Sequence, residues 1–287
     1  MLLFLANKKG TDHYGMIETN GSRFFNRGGV RLHYTAAGNG PTLIFIHGLP
    51  DFWNGWRYQI AHFSDAYRVV AVDLRGVNLS DQPTGTSAYR ISELVRDTVG
   101  LMDHLELGQA TIIGHDWGAF IGWWTAILAP KRVARLAALS APHPACYAME
   151  KEKGEVYHPP DYLAQVVSAA PGVPFDATRL AERVADPSAR MDLTDALQRS
   201  GVECLRNFYR ANDLVRPKLT TLPSVAAPVL SLYGANDRFV APEAYEKSRG
   251  YVTVDFRLVV VPETAHYPHQ EAPTRVNNEL EQWLESS

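Results

Sequence analysis

Gly114-His115-Asp116-Trp117-Gly118 decides how this chain is read. Ala110 to Ile113, just before it, form a short apolar run of strand type, and Ala119 to Leu128, just after it, read as a buried helix. Glycines on either side of the central residue permit a sharp strand-to-helix turn that presents one side chain at the edge of a sheet. Such turns usually carry serine at the centre, and this one carries Asp116. A carboxylate in that position can attack an sp3 carbon that bears a leaving group, giving an alkyl ester on the protein.

Outward from the turn, the pattern alternates strands and helices. Upstream, Arg23 to Asn26 and Val30 to Ala36 flank a Gly28-Gly29 turn, and Thr42 to Ile46 and Arg68 to Asp73 are buried runs. Two alternating strands followed by buried ones predict an antiparallel edge leading into a parallel sheet. Ser87 to His104 has helical spacing, with Ser92 and Asp97 on its wet side. Downstream come the strands Leu136 to Ser140, Pro228 to Tyr233 and Phe256 to Val261, and helices over Pro242 to Ser248 and Thr274 to Glu285. The architecture implied is a doubly wound α/β sheet.

Residues 143–222 interrupt it. They are richer in Pro, Asp and Arg and hold helical patterns at Asp176 to Val184 and Leu193 to Asn212, so they read as a helical lid inserted between two strands. The expected division is a core of residues 21–142 and 223–287, a cap of 143–222 and a polar, irregular extension of 1–20.

With 287 residues and 46% hydrophobic content, the chain can bury one large core. A net charge of −3 without a basic run leaves no footprint for nucleic acid or an anionic membrane, so a small molecule is the expected partner. Met1 to Ala6 are apolar, but Asn7-Lys8-Lys9 ends the run before a signal peptide's apolar region is complete, and no window holds ~18 apolar residues. A cytoplasmic protein, monomer or homodimer, is expected. Cys146 and Cys204 suggest neither a disulfide framework nor a metal site.

Four signatures follow strands, where open α/β sheets place ligands. His47-Gly48-Leu49-Pro50 offers a backbone N–H donor, and the residue after Asp116, Trp117, offers another. Asp237 lies in Gly234-Ala235-Asn236-Asp237, and His266 in Glu263-Thr264-Ala265-His266. Nucleophile, acid and histidine stand in the order known for such sheets. The bland alternatives are a helix N-cap for Asp116 and a turn or N-cap role for Asp237. His266 is preferred over His269, while His47 and His115 are expected to brace the two loops, and Asp73 and Arg75 to hold a turn.

The strings HGLPDFWNGWRYQI, VDLRGVNLSDQP, GHDWGA and ETAHYPHQE resemble the epoxide hydrolases of the α/β-hydrolase fold, over most of residues 24–284. That resemblance implies an α/β-hydrolase fold, Asp116 as nucleophile, His266 as base, neutral near pH 7, and Asp237 as its orienting acid. Leu49 and Trp117 become oxyanion donors, and the peptide before Pro50 becomes cis. It also implies lid tyrosines that hydrogen-bond the epoxide oxygen. Tyr209, in Asn207-Phe208-Tyr209-Arg210, is the first candidate. The family's second lid tyrosine has no match before Pro171-Gly172-Val173, so Tyr162, or in second place Tyr157 or His158, takes that role from a shifted position, or the role is missing. Gly76-Val77-Asn78 departs from the family's Gly-Tyr-Gly-like turn, and asparagine suits the left-handed conformation needed there. Phe52, Trp53, Trp117, Phe175 and Phe208 are expected to line an apolar pocket. No metal or organic cofactor is implied.

A haloalkane dehalogenase would use the same three residues, with halide held by Trp117 and by an asparagine after His-Gly or a lid tryptophan. Here Leu49 follows His47-Gly48, and no tryptophan lies in 143–222. The position just after the nucleophile is Trp117, where fluoroacetate dehalogenases carry arginine. A non-catalytic ligand-binding homologue would have lost a triad member, and all three are present.

Overall fold

The computed structural model describes residues 2–6, 14–18, 21–152, 176–212 and 221–286. Its main sheet has eight strands: β3 (Arg23–Arg27), β4 (Val30–Ala37), β5 (Thr42–Ile46), β6 (Arg68–Val72), β7 (Ala110–His115), β8 (Val133–Leu139), β9 (Val229–Gly234) and β10 (Phe256–Val261). Their order is β10-β9-β8-β7-β5-β6-β4-β3. Pairing is antiparallel for β3 with β4 and β4 with β6, and parallel across the rest. A doubly wound, mostly parallel sheet with an antiparallel edge is what the alternating and continuous apolar runs implied, and it agrees with the α/β-hydrolase fold that the resemblance implied. The central strands are apolar without alternation because helices cover both faces, leaving Ile44, Phe45, Ile112, Ile113, Leu136 and Ala137 fully buried.

Residues Leu2–Ala6 (β1) and Tyr14–Glu18 (β2) form a separate two-stranded antiparallel sheet, with Leu2 opposite Glu18 and Ala6 opposite Tyr14. The N-terminal extension, expected to be irregular, thus contains two strands. Each is a five-residue run, long enough for a backbone ladder.

Between β8 and β9 the described elements are helices: Pro144–Glu152, Ala177–Ala181, Pro187–Arg199 and Val202–Ala211. The continuous pattern expected from Leu193 to Asn212 is two helices broken at Ser200-Gly201. There the chain dips onto the turn at residues 76–78: Gly201 N donates to Gly76 O at 3.3 Å, and Asn78 N donates to Ser200 Oγ at 2.9 Å. Asp176 and Asp186 cap their helices by accepting from Arg179 N and Ala189 N, and Pro187 fills a first-turn position that needs no donor.

Asp97, expected on the wet face of helix Ile91–His104, is instead buried. Arg75 reaches it with two donors at 2.6 Å and Arg27 with one at 2.8 Å, so the carboxylate is compensated where it lies. Arg75 and Asp73 hold the turn after β6. Asp73 accepts from Trp53 N (3.0 Å), from Asn78 Nδ2 (2.7 Å) and from the His33 ring (2.6 Å). Asn78 sits at φ 49°, the left-handed geometry its side chain tolerates. Both cysteines are free and buried. Among the described residues, no helix is long and apolar enough to cross a membrane.

The two glycines of the central turn are required by contact. A Cβ on Gly114 would lie 2.3 Å from the Gly118 carbonyl oxygen, and one on Gly118 would lie 2.0 Å from that of Ile46. Gly118→Ala is therefore expected to lower stability by about 3 kcal/mol or prevent folding. Gly108→Ala, with nothing within 4 Å of the added carbon, should be near neutral in the same denaturant titration.

Candidate active site

Asp116 is the residue between β7 and the helix Trp117–Leu128, at φ 50° and ψ −117°. This is a sparsely populated conformation for a non-glycine residue and stores of order 1–3 kcal/mol of strain, held by the packing around it. Asp116 occupies the N-cap position, yet its side chain makes no capping hydrogen bond. It turns the other way, toward the loop after β5. There Leu49 N donates to Asp116 Oδ1 at 2.9 Å. Gly48 permits that approach, because a Cβ on it would lie 2.5 Å from Asp116 Cβ. The Leu49-Pro50 peptide is cis, as the resemblance implied.

The histidine expected to act as base comes from the loop after β10. His266 Nε2 lies 3.5 Å from Asp116 Oδ2, and His266 Nδ1 lies 2.9 Å from Asp237 Oδ2. Asp237 reaches it from the end of β9, where Gly234 lets two loops touch: a Cβ there would meet Ala265 O at 2.0 Å. Asn236 N donates to Thr264 O at 2.8 Å across the same contact. The second oxygen of Asp237 accepts from Phe239 N at 2.9 Å, so a turn role and the histidine contact coexist. His269 is elsewhere, its ring 4.3 Å from that of Trp56.

His47 and His115 brace the loops, as expected. His47 Nε2 accepts from Leu74 N at 3.1 Å, so Nδ1 carries the proton and donates to Gly48 O at 2.6 Å. His115 Nε2 donates to the backbone oxygen of His266 at 2.7 Å. Burial pushes the His115 ring down to about 4, which keeps it neutral in this role.

Electrostatics change one expectation. Burial works against a charged His266, but Asp237 and Asp116 outweigh it and raise the ring to about 9. The imidazole expected to be neutral near pH 7 is therefore a cation in the resting site. Burial would likewise raise Asp116, but the His266 hydrogen bond and charge, with the Leu49 N–H, hold its carboxyl below the ordinary range. The resting centre is a pair of carboxylates around one imidazolium.

The cleft above this centre is lined by Leu49, Asp116 and Trp117 from the first two loops and by Phe239, Val240, His266 and Tyr267 from the last two. Phe120 and the segment after β8, Ser140 to Pro142, complete its floor, and Tyr147 and Tyr209 reach it from the inserted helices. The chain matches the family model described as alpha/beta hydrolase fold over residues 41–273.

It belongs to the α/β-hydrolase family.

The α/β-hydrolase superfamily protein YfhM of Bacillus subtilis (strain 168) is 32% identical over 92% of this chain and 98% of its own length. Epoxide hydrolase 4 of Homo sapiens is 30% identical over 87% of this chain and 74% of its own. Among solved structures, the Bacillus megaterium epoxide hydrolase in complex with an inhibitor is 27% identical with a TM-score of 0.78, over 91% of this chain and 99% of that one. An epoxide hydrolase from metagenomes of hot environments is 29% identical with a TM-score of 0.82, over 93% and 99%.

This hydrolase brings Asp116, His266, Asp237, Leu49, Trp117 and Tyr209 together. It does not bring Phe52, Trp53 or Phe208 to the cleft wall. Phe52 and Trp53 pack edge to face in the core at 6.0 Å, and Phe208 is wedged between Tyr89 and Trp117 at 5.3 and 5.4 Å. The aromatic side chains nearest the motifs serve packing, the commoner use of such residues. Phe175, Tyr162, Tyr157 and His158 lie outside the described residues. Phe120, Tyr147, Phe239 and Tyr267, absent from the expected wall, line the cleft instead. Phe239 carried a readable signal: it stands two residues after the acid, and its ring stacks on His266 at 4.1 Å.

A resting imidazolium has a measurable signature. In wild-type protein the His266 ring signals should titrate near pH 9 by NMR, and Asp237→Asn should move that titration downward. Because the folded value lies above the ordinary 6.5, the ion pair's stabilisation is complete below pH 6.5 and is lost as pH rises through about 9. The melting temperature advantage of wild type over His266→Gln should shrink across that interval. An advantage independent of pH between 6 and 10 would contradict the charge assignment.

Proposed function

We propose that this protein hydrolyses epoxides to vicinal diols through a covalent alkyl ester on Asp116. The observation that carries the reading is the carboxylate itself: a strained Asp116, 3.5 Å from His266, at the floor of a cleft that Tyr209 also lines. The relatives named epoxide hydrolase support it. The inserted helices, residues 143–222 in the sequence reading, act as a cap over a core of 21–142 and 223–287.

In the first step a lone pair of Asp116 Oδ2 attacks an epoxide carbon. The carbon–oxygen bond breaks, and the oxygen takes the electron pair and a proton from the Tyr209 hydroxyl. Ester formation removes the negative charge of Asp116, one of the two that hold the proton on His266. The imidazolium then passes its proton, by way of water, to the Tyr209 phenolate, which restores the phenol and leaves the ring a competent base.

In the second step neutral His266, held by Asp237, takes a proton from water as the hydroxide forms a bond to the ester carbonyl carbon. The carbonyl electrons move onto oxygen, where N–H groups of Leu49 and Trp117 stabilise them by about 3 kcal/mol per donor. Collapse expels the diol oxygen, which takes the proton back from His266. Among the described residues, Tyr147 is the other phenol from the inserted helices at the cleft, while Tyr162 remains the donor proposed from sequence. The aromatic wall of Trp117, Phe120, Phe239 and Tyr267 suits an apolar substrate, aromatic or polycyclic.

Single-turnover reaction in heavy-oxygen water should place the label in Asp116 rather than in the diol. Label found mainly in the diol rules out the ester route. His266→Gln should accumulate an alkylated protein visible by mass spectrometry, at a mass equal to protein plus epoxide. Tyr209→Phe should slow alkylation by about 100-fold and ester hydrolysis by less. An unchanged alkylation rate moves the donor role to Tyr147 or Tyr162, whose Phe variants are measured in parallel. Bromoalkanes supplied in the same screen should release little halide. Halide release faster than diol formation would favour dehalogenation.

A further inference from the structure

Arg183 lies in the inserted segment, between the helices Ala177–Ala181 and Pro187–Arg199, and its guanidinium reaches out of that segment into the core. Nη2 donates to the backbone oxygen of Pro50 at 3.0 Å and stands 3.2 Å from Asp51 Oδ2. Nη1 donates to Gln270 Oε1 at 3.1 Å. Gln270 Nε2 donates in turn to Asp51 Oδ2 at 2.6 Å, closing a ring of three side chains. The guanidinium carbon also lies 3.8 Å from the centre of the Tyr267 ring.

The residues it touches are the immediate neighbours of the hydrolytic groups. Pro50 follows Leu49, whose N–H holds Asp116, and Tyr267 follows His266. Asp51 and Gln270 are 219 positions apart in sequence, and among the described residues Arg183 is the group from the inserted segment that bonds to both. Asp51 is 2% exposed, and a buried carboxylate is tolerated only with a cation or strong donors around it. A planar fork of five donors can serve Pro50, Asp51 and Gln270 at once, whereas an ammonium cannot span them in one plane.

We propose that Arg183 is a positioning residue through which the inserted helices set both the oxyanion donor at Leu49 and the base at His266. This rests on the two-step ester reading for its kinetic consequence, but not for its geometry. With Arg183 in place, the backbone of Leu49 and that of His266 are fixed relative to Asp116 from one side chain. Ester hydrolysis needs both, and a misplacement of about 1 Å can cost about 100-fold. Alkylation needs the carboxylate and the proton donor, and depends on this geometry less.

The test compares wild type, Arg183→Lys, Arg183→Met and the double variant Asp51→Asn/Arg183→Met. Hydrogen exchange read by mass spectrometry should show faster exchange in peptides covering residues 47–55 and 263–272 of Arg183→Met, with β7 unchanged. In single-turnover kinetics with a reactive epoxide, ester hydrolysis should slow by about 100-fold, and alkylation by clearly less. Arg183→Lys should fall between. The double variant removes the uncompensated buried carboxylate, so it should regain melting temperature and keep the slowed hydrolysis. That result separates positioning from stability and serves if Arg183→Met alone does not fold. Unchanged exchange in both loops, equal slowing of the two steps, or recovery of hydrolysis in the double variant would overturn the proposal. Failure of wild type to open any epoxide would remove the ester reading while leaving the exchange result to decide the tether.

Discussion

Asp116 holds a backbone conformation that its own side chain disfavours, and the cleft is built around the cost of keeping it there. At φ 50° the carboxylate is thrust out of the junction between β7 and its helix, away from the N-cap geometry an aspartate would otherwise adopt. The turn closes only because Gly114 and Gly118 let backbone pass within contact of backbone, and Gly48 lets the neighbouring loop approach Asp116. Gly234 repeats the arrangement on the far side, where the loop of Asp237 touches the loop of His266. Four close backbone approaches thus bring Leu49, Asp116, Asp237 and His266 to one floor.

The same crowding sets the electrostatics. Asp237 is sealed from water, and Asp116 and His266 stand beside it with limited solvent. In such a place the two carboxylates overcome the burial penalty on the imidazole, and one positive charge is kept between two negative ones. That balance is suited to a nucleophile whose charge disappears when it reacts. In the proposed reaction, loss of the Asp116 charge on ester formation weakens the hold on the proton at the moment a base is required. His115, neutral and donating to the His266 backbone, holds that loop without adding a competing charge.

Much of this was legible in the chain. The alternation of apolar runs with helical spacing placed every strand of the main sheet to within a few residues, because the central runs are buried on both faces and the edge strands alternate between a buried and an exposed face. The order aspartate, aspartate, histidine after strands β7, β9 and β10 pointed to Asp116, Asp237 and His266, which the fold brings together at 3.5 Å for Asp116–His266 and 2.9 Å for His266–Asp237, since the ends of strands converge in an open sheet. Less legible were residues whose role depends on a partner distant in sequence. Asp97 looks solvated on a helical wheel, and only Arg75 and Arg27 explain its burial. Phe52, Trp53 and Phe208 stand beside the motifs and yet face the core, because adjacency in sequence does not fix the direction of a side chain.

The sequence by itself determined the α/β-hydrolase fold and singled out Asp116, Asp237 and His266 as the residues to be brought together, since glycine spacing and strand ends are local properties. Tertiary structure alone decided the protonation of His266, the wall of the cleft and the reach of Arg183 from the inserted helices into both hydrolytic loops. A charge state depends on every charge within a few ångströms and on exclusion of water, and neither is a property of neighbouring residues in the chain.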